Sequence, residues 1–163
     1  GDSPRMRFII NLCYYTSMSK PEQPPTPEIP KETKILVIDD APYTLDAIQS
    51  IFNWVDIKIT TATNGQEALD ILQQQPDFDL IITDLVMPTM DGYSFLKAII
   101  NNPEITTCRT FIIQTSNPIK EHIDIFNSYN EQLQEKDPTA QIRYLSKSYS
   151  GEELISFVAS SLA

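Results

Sequence analysis

The chain has 163 residues, 41% of them hydrophobic, and a formal net charge of −10. That length suits one domain plus an extension, with enough apolar material for a core. The acidity argues against direct binding of nucleic acid, which needs clustered Lys and Arg, and no apolar run approaches the ~20 residues of a membrane span. Cys13 and Cys108 form neither a metal-binding nor a disulfide pattern, so they are read as ordinary thiols of a cytoplasmic protein.

The first 33 residues carry four basic and four acidic side chains, whereas residues 34–163 carry 8 basic and 18 acidic and hold all of the net charge. The organisation expected is an N-terminal extension, 1–33, followed by one domain, 34–163. Arg7 to Thr16 is short, apolar and aromatic, and is compatible with a strand. Residues 1–17 suit a vector-derived leader, a mis-assigned start ahead of Met18, or the end of a preceding domain. Lys20 to Pro30 contains five prolines and is expected to be extended and semi-rigid.

From Lys34 the pattern alternates strand and helix. Ile35 to Ile38 is an apolar strand that ends in Asp39 and Asp40. Pro42 suits a first helical turn, and Leu45, Ile48, Ile51, Phe52 and Val55 give that helix an apolar face. Ile57 to Ala62 is a second strand. Asn64-Gly65 is read as a turn before a helix through Ala68, Leu69 and Leu72. Asp79 to Asp84 is a third strand, again ending in a carboxylate. A loop with Pro88 and Gly92 leads to a helix through Phe95, Leu96, Ile99 and Ile100. Phe111 to Thr115 is a fourth strand, ending in a hydroxyl. Pro118 opens a long helical pattern through Ile119, Ile123, Phe126, Tyr129 or Asn130, and Leu133, which Pro138 should stop. The single His122 in it is read as a surface residue. Ile142 to Ser146 is a fifth strand, followed by Lys147. Ser150 and Glu153 form a capping box for a last helix through Leu154, Phe157, Val158 and Leu162.

Five alternations with apolar strands predict an α/β fold with a doubly wound, five-stranded parallel sheet. In such sheets ligands bind beyond the carboxyl ends of the strands. Asp39, Asp40, Asp84, Thr115 and Lys147 should therefore gather at one edge. Three acids, a hydroxyl and an ammonium can hold a divalent cation and a phosphoryl group together.

Asp39-Asp40, Asp84 with Met87-Pro88 and Asp91-Gly92, Thr115 and Lys147 fall at strand ends in an order that strongly resembles the receiver domains of two-component response regulators, over about residues 34–163. The resemblance implies the flavodoxin-like strand order 2-1-3-4-5, against which this chain has an enlarged region around the fourth helix. It implies that Asp84 is a phosphoacceptor, that Asp40 ligates Mg²⁺ with help from Asp39, and that the Val86 backbone carbonyl is a further ligand. Lys147 and Thr115 would bind phosphoryl oxygens, and Tyr144 matches an aromatic switch position, although aromatics also favour strands for their own sake. A sensor histidine kinase or phosphotransfer protein would supply the phosphoryl group. Output would pass to a downstream protein effector, or to a domain on the N-terminal side, since the last helix runs to Ala163. Homodimerisation would use the face of the fourth helix, fifth strand and fifth helix. No role as an enzyme on external substrates is expected. Aspartyl-phosphate phosphatases need a second aspartate two residues after the nucleophile, and Val86 stands there. The alternative is a pseudo-receiver acting as a constitutive interaction module.

Three departures from the family pattern stand out. Ser148 follows the lysine where the family usually has proline, often in a cis bond. The stretch between Thr115 and Lys147 is longer than in compact members, around Asn127 to Ala140. Val86 and Asn117 flank the path of a hydrolytic water.

Overall fold

The computed structural model describes residues 28–116 and 119–163. The expectations for residues 1–27, and for Asn117 and Pro118, lie outside the described residues. Five parallel strands form one sheet in the order β2-β1-β3-β4-β5. They are β1 (Ile35–Ile38), β2 (Ile59–Ala62), β3 (Leu80–Asp84), β4 (Thr110–Thr115) and β5 (Gln141–Ser146). The helices are α1 (Pro42–Trp54), α2 (Gly65–Gln74), α3 (Gly92–Asn101), α4 (Lys120–Lys136) and α5 (Gly151–Leu162), with a short 3₁₀ turn at Pro103–Ile105.

The central strands β1, β3 and β4 are largely apolar and buried on both faces because helices cover both. One core layer joins Leu36, Ile38, Ile81, Phe111 and Ile113 to Ala68 and Leu72 of α2, Phe95 and Leu96 of α3, and Phe126 and Leu133 of α4. The other joins Ile35, Val37, Leu80, Ile82 and Ile112 to Leu45, Ile48 and Phe52 of α1 and Leu154 and Val158 of α5. Side chains alternate between faces with a period of two. That parity places the end-of-strand residues. Asp39 continues the Ile35 and Val37 row, Asp84 the Leu80 and Ile82 row, and Gln114 the Ile112 row, so all three fall on the α1/α5 face. Lys147 follows Leu145 onto the same face. Thr115 and Tyr144 fall on the opposite one, where Ile113 and Tyr144 are register partners.

The helix starts have local causes. Asn64 does not form a separate turn. It caps α2, with its side chain accepting from Glu67 N at 2.9 Å, and Gly65 is already helical. Asp91 caps α3 by accepting from Ser94 N at 2.8 Å, and Ser150 caps α5 by accepting from Glu153 N at 3.1 Å. Each satisfies a backbone donor that the first turn leaves free.

The long helical pattern is one helix of 17 residues, ending at Lys136 with Asp137 extended ahead of Pro138. Two expectations for it change. Ile119 precedes the helix, and both it and Ile123 stand 40% exposed, so the buried stripe is Phe126 and Leu133 alone. His122 is half-buried, with its ring Nδ1 hydrogen-bonded to the Tyr93 hydroxyl of α3.

Candidate functional site

The strand ends bring the acidic pair, the lone aspartate and the lysine together. Ligand oxygens of Asp39, Asp40 and Asp84 lie within 4.8 Å of one another. Lys147 Nζ donates to Asp39 Oδ2 at 2.8 Å and stands 3.2 Å from Asp84 Oδ2. Asp39 is fully buried and Asp84 nearly so, while Asp40 is exposed. Asp39 Oδ1 also accepts from Ala41 N at 2.9 Å, and Asp84 Oδ1 from Leu85 N at 2.8 Å. Thr115 closes β4 beside them, and its carbonyl accepts from Lys147 N at 3.0 Å. The Lys147–Ser148 bond is trans, as are all peptide bonds among the described residues.

The electrostatics follow from crowding like charges in a partly dry edge. Burial, and then the neighbouring Asp39 charge, push the Asp84 carboxyl above the usual aspartate range, and Lys147 only partly offsets them. Burial alone would lower Lys147. The hydrogen bond and charge of Asp39, then those of Asp84, outweigh it and hold the ammonium above the usual lysine range. The cluster has an excess of negative charge. Hard oxygen donors of this number suit a small divalent cation that retains several waters.

The loop after β3 is held at three points. Gly92 N donates to Leu85 O at 2.9 Å, Gly65 N to Met90 O at 3.0 Å, and Met90 N to Pro88 O at 2.7 Å. The last closes a tight turn in which Thr89 takes φ 65°, a left-handed conformation uncommon for a branched residue. Gly92 is required by proximity, because a Cβ there would stand 2.4 Å from the carbonyl oxygen of Asp84. Val86, two residues beyond Asp84 in this loop, is 73% exposed.

On the other face Tyr144 lies in an aromatic cluster. Its ring centroid is 6.3 Å from Phe126, which stacks on Tyr93 at 5.1 Å, and Tyr129 meets Tyr93 edge-on at 6.4 Å. The Tyr144 hydroxyl is buried and has no hydrogen-bond partner among the described residues. Burial holds its phenol above the usual tyrosine range.

Two residues near the site were not anticipated. Gln114 is buried at the end of β4, in register with Asp84, and its Oε1 accepts from the Tyr149 hydroxyl at 2.7 Å. The visible signal was a carboxamide closing an otherwise apolar strand run. Tyr149 gave none, because its partner is remote in sequence.

A parallel sheet with acids at the ends of its first and third strands and a lysine after its fifth defines a class of signalling domain. The chain belongs to the response regulator receiver domain family, whose model matches residues 35–159. Response regulator SaeR of Staphylococcus aureus (strain USA300) is 35% identical over 65 residues, 40% of this chain. The matched stretch spans 28% of that relative's length. Among solved structures, the Vibrio cholerae chemotaxis protein CheY4 superposes with a TM-score of 0.66, covering 80% of this chain and 98% of that one at 24% identity, a likeness of fold alone. The signal receiver domain of an HD domain-containing protein from Pseudomonas fluorescens Pf-5 is 25% identical, with a TM-score of 0.63, over 80% of this chain and 94% of that one. Among the described residues no helix is long and apolar enough to cross a membrane.

Proposed function

We propose that this receiver domain accepts a phosphoryl group on Asp84 from a histidine kinase or phosphotransfer protein and switches protein–protein contacts in response. The observation that carries the reading is the Lys147 ammonium lodged between Asp39 and Asp84, with Asp40 alongside. A phosphoryl group on Asp84 would meet a positive charge already in place.

An Asp84 carboxylate oxygen attacks phosphorus in line. The bond from phosphorus to the donor's imidazole nitrogen breaks, the imidazole leaves with its electron pair, and an acyl phosphate remains. Lys147 pairs with a phosphoryl oxygen, and the Thr115 hydroxyl donates to another. Asp39, Asp40, Asp84 and the Val86 carbonyl would hold Mg²⁺, which when bound neutralises charge on the carboxylates and the phosphoryl oxygens. The acyl phosphate adds about −1.5 to −2 charge, drawing Thr115 and Lys147 toward it. Tyr144 shares the face of Thr115 and has an unpaired hydroxyl to re-place, so it would move with Thr115 and alter the α4–β5–α5 surface. That surface would contact a downstream effector or a second copy of the chain. The domain would act in the cytoplasm, with no direct role on nucleic acid or membrane and no enzymatic role beyond its own phosphoryl gain and loss.

Acetyl phosphate with Mg²⁺ tests this by intact mass and phosphate-affinity gel. The expected result is one phosphoryl group per chain, absent in Asp84→Asn. Stoichiometric labelling of that variant would show that another residue is the acceptor.

A further inference from the structure

Gln114 is out of keeping with its strand. Phe111, Ile112 and Ile113 precede it, it is fully buried, and its Nε2 has no hydrogen-bond partner among the described residues. On packing alone a leucine would suit the position better, because an unpaired buried amide is costly and an apolar group is not. A polar residue kept at such a place points to a role other than stability.

The partner of its side chain shows the role. The Tyr149 hydroxyl donates to Gln114 Oε1 at 2.7 Å. Tyr149 lies in the loop between β5 and α5, two residues beyond Lys147, and it packs on the α1/α5 core layer. Lys147 itself is tied by its backbone N–H to the carbonyl of Thr115 at 3.0 Å. The loop is thus fastened to two consecutive residues at the end of β4, by main chain at Lys147 and by side chain at Tyr149. Lys147 lies inside the fastened stretch. No proline stiffens this loop. A lysine on a four-carbon stem places its ammonium only as well as its backbone is held.

We propose that Gln114 and Tyr149 are a positioning pair: the buried carboxamide anchors the β5–α5 loop through the tyrosine and so keeps the Lys147 ammonium between Asp39 and Asp84. Neither residue touches a reacting atom. The inference rests on the reading of Asp84 as phosphoryl acceptor.

The test uses the full chain with Gln114→Leu and Tyr149→Phe, each made alone and in a Lys147→Ala background. Labelling by acetyl phosphate with Mg²⁺ should slow about fivefold in each single variant. The thermal midpoint should fall modestly for Tyr149→Phe, which leaves the buried carboxamide oxygen unpaired, and stay unchanged or rise for Gln114→Leu, so that similar slowing in the two variants separates positioning from stability. Neither change should slow labelling further once Lys147 is gone, because effects acting through one group do not add. Side-chain relaxation of the Lys147 Cε methylene by NMR should show greater mobility in both single variants. Labelling within about twofold of wild type, equal slowing with and without Lys147, or slowing that tracks a loss of thermal midpoint would each overturn the pair. The relaxation arm needs no phosphoryl chemistry. If wild type is not labelled at all, the acceptor reading falls, and the pair stands only if the Lys147 methylene is ordered in wild type and loosened in both variants.

Discussion

Val86 lies two residues beyond Asp84, with most of its surface in solvent. A polar side chain there could orient an attacking water by hydrogen bonding, which is a main lever in phosphoryl hydrolysis. Valine can neither donate nor accept a hydrogen bond there. The phosphorylated domain is therefore expected to lose its phosphoryl group slowly. Val86→Asn should accelerate the loss about tenfold if it lowers the barrier by ~1.4 kcal/mol. Decay of the gel-shifted species over time measures this, and an unchanged rate in the variant refutes it. Cys108 makes a contrasting case at the same scale. It is buried at 1% exposure, and desolvation pushes its thiol up to about 12. A buried neutral thiol is a poor nucleophile. Under native conditions it should react with a disulfide reagent only as fast as the domain unfolds, and immediate stoichiometric modification of Cys108 would contradict its placement.

At the scale of elements, the junction of β3 and α3 sets the position of Asp84. Gly92 begins α3 with its Cα against the Asp84 carbonyl, and its own N–H donates to Leu85 O. Gly92→Ala normally favours a helix by up to about 1 kcal/mol. Here the added methyl cannot fit without moving the Asp84 backbone, so the sign should reverse. We expect a loss of about 1–3 kcal/mol, typical of overpacking, together with slower labelling of Asp84. A denaturant melt and the labelling assay check the two effects, and a stabilised, normally labelled variant would show that the junction yields without cost. The neighbouring α4 shows the opposite economy. Phe126 and Leu133 anchor it, while Ile119, Ile123 and Ile125 remain largely outside the core. Helical spacing in the sequence identified an apolar stripe but assigned Ile119 and Ile123 to it, because spacing alone does not say how wide a face the sheet covers. Spacing alone likewise makes His122 a surface residue, although it is half-buried. Its partner Tyr93 lies on a different helix, and no local pattern reveals such a contact.

For the whole molecule, charge at the site couples pH and metal to stability. The folded state raises the Asp84 carboxyl, through burial and then Asp39, so folding disfavours its charged form. That penalty is absent below the ordinary aspartate range of ~4 and grows as pH rises through the folded value. The Lys147 ammonium is favoured in the folded state, so its contribution is complete below the ordinary lysine range of ~10.4 and fades as pH rises through its higher folded value. Asp84→Asn should accordingly raise the thermal midpoint at neutral pH by a few degrees, about 2–4 °C per kcal/mol for a chain of this size. Its gain should vanish toward pH ~3. Mg²⁺ at about a hundredfold its dissociation constant should add about 2.7 kcal/mol to wild type and markedly less to Asp40→Ala. Equal magnesium shifts in the two proteins would exclude Asp40 as a ligand, and a lower midpoint for Asp84→Asn would show that the Lys147 pairing outweighs the burial of its charge.

The sequence by itself determined the alternation of strands and helices, the parallel sheet, and the edge at which Asp39, Asp40, Asp84, Thr115 and Lys147 meet. These were legible because strand length, apolar runs and period-two parity are local properties, and because a parallel sheet carries every strand end to the same side. The end of α4 at Lys136 was legible for the same kind of reason, since Pro138 restricts the residue before it. Only the tertiary structure decided which carboxylates the Lys147 ammonium pairs with, that Gln114 reaches Tyr149, and that Gly92 has no room for a side chain. Each of these is a meeting of groups remote in the chain, settled by the side chains and backbone that the fold brings within a few ångströms. Hydrophobic pattern places a residue on a face, but a hydrogen bond or a steric limit depends on what stands opposite it.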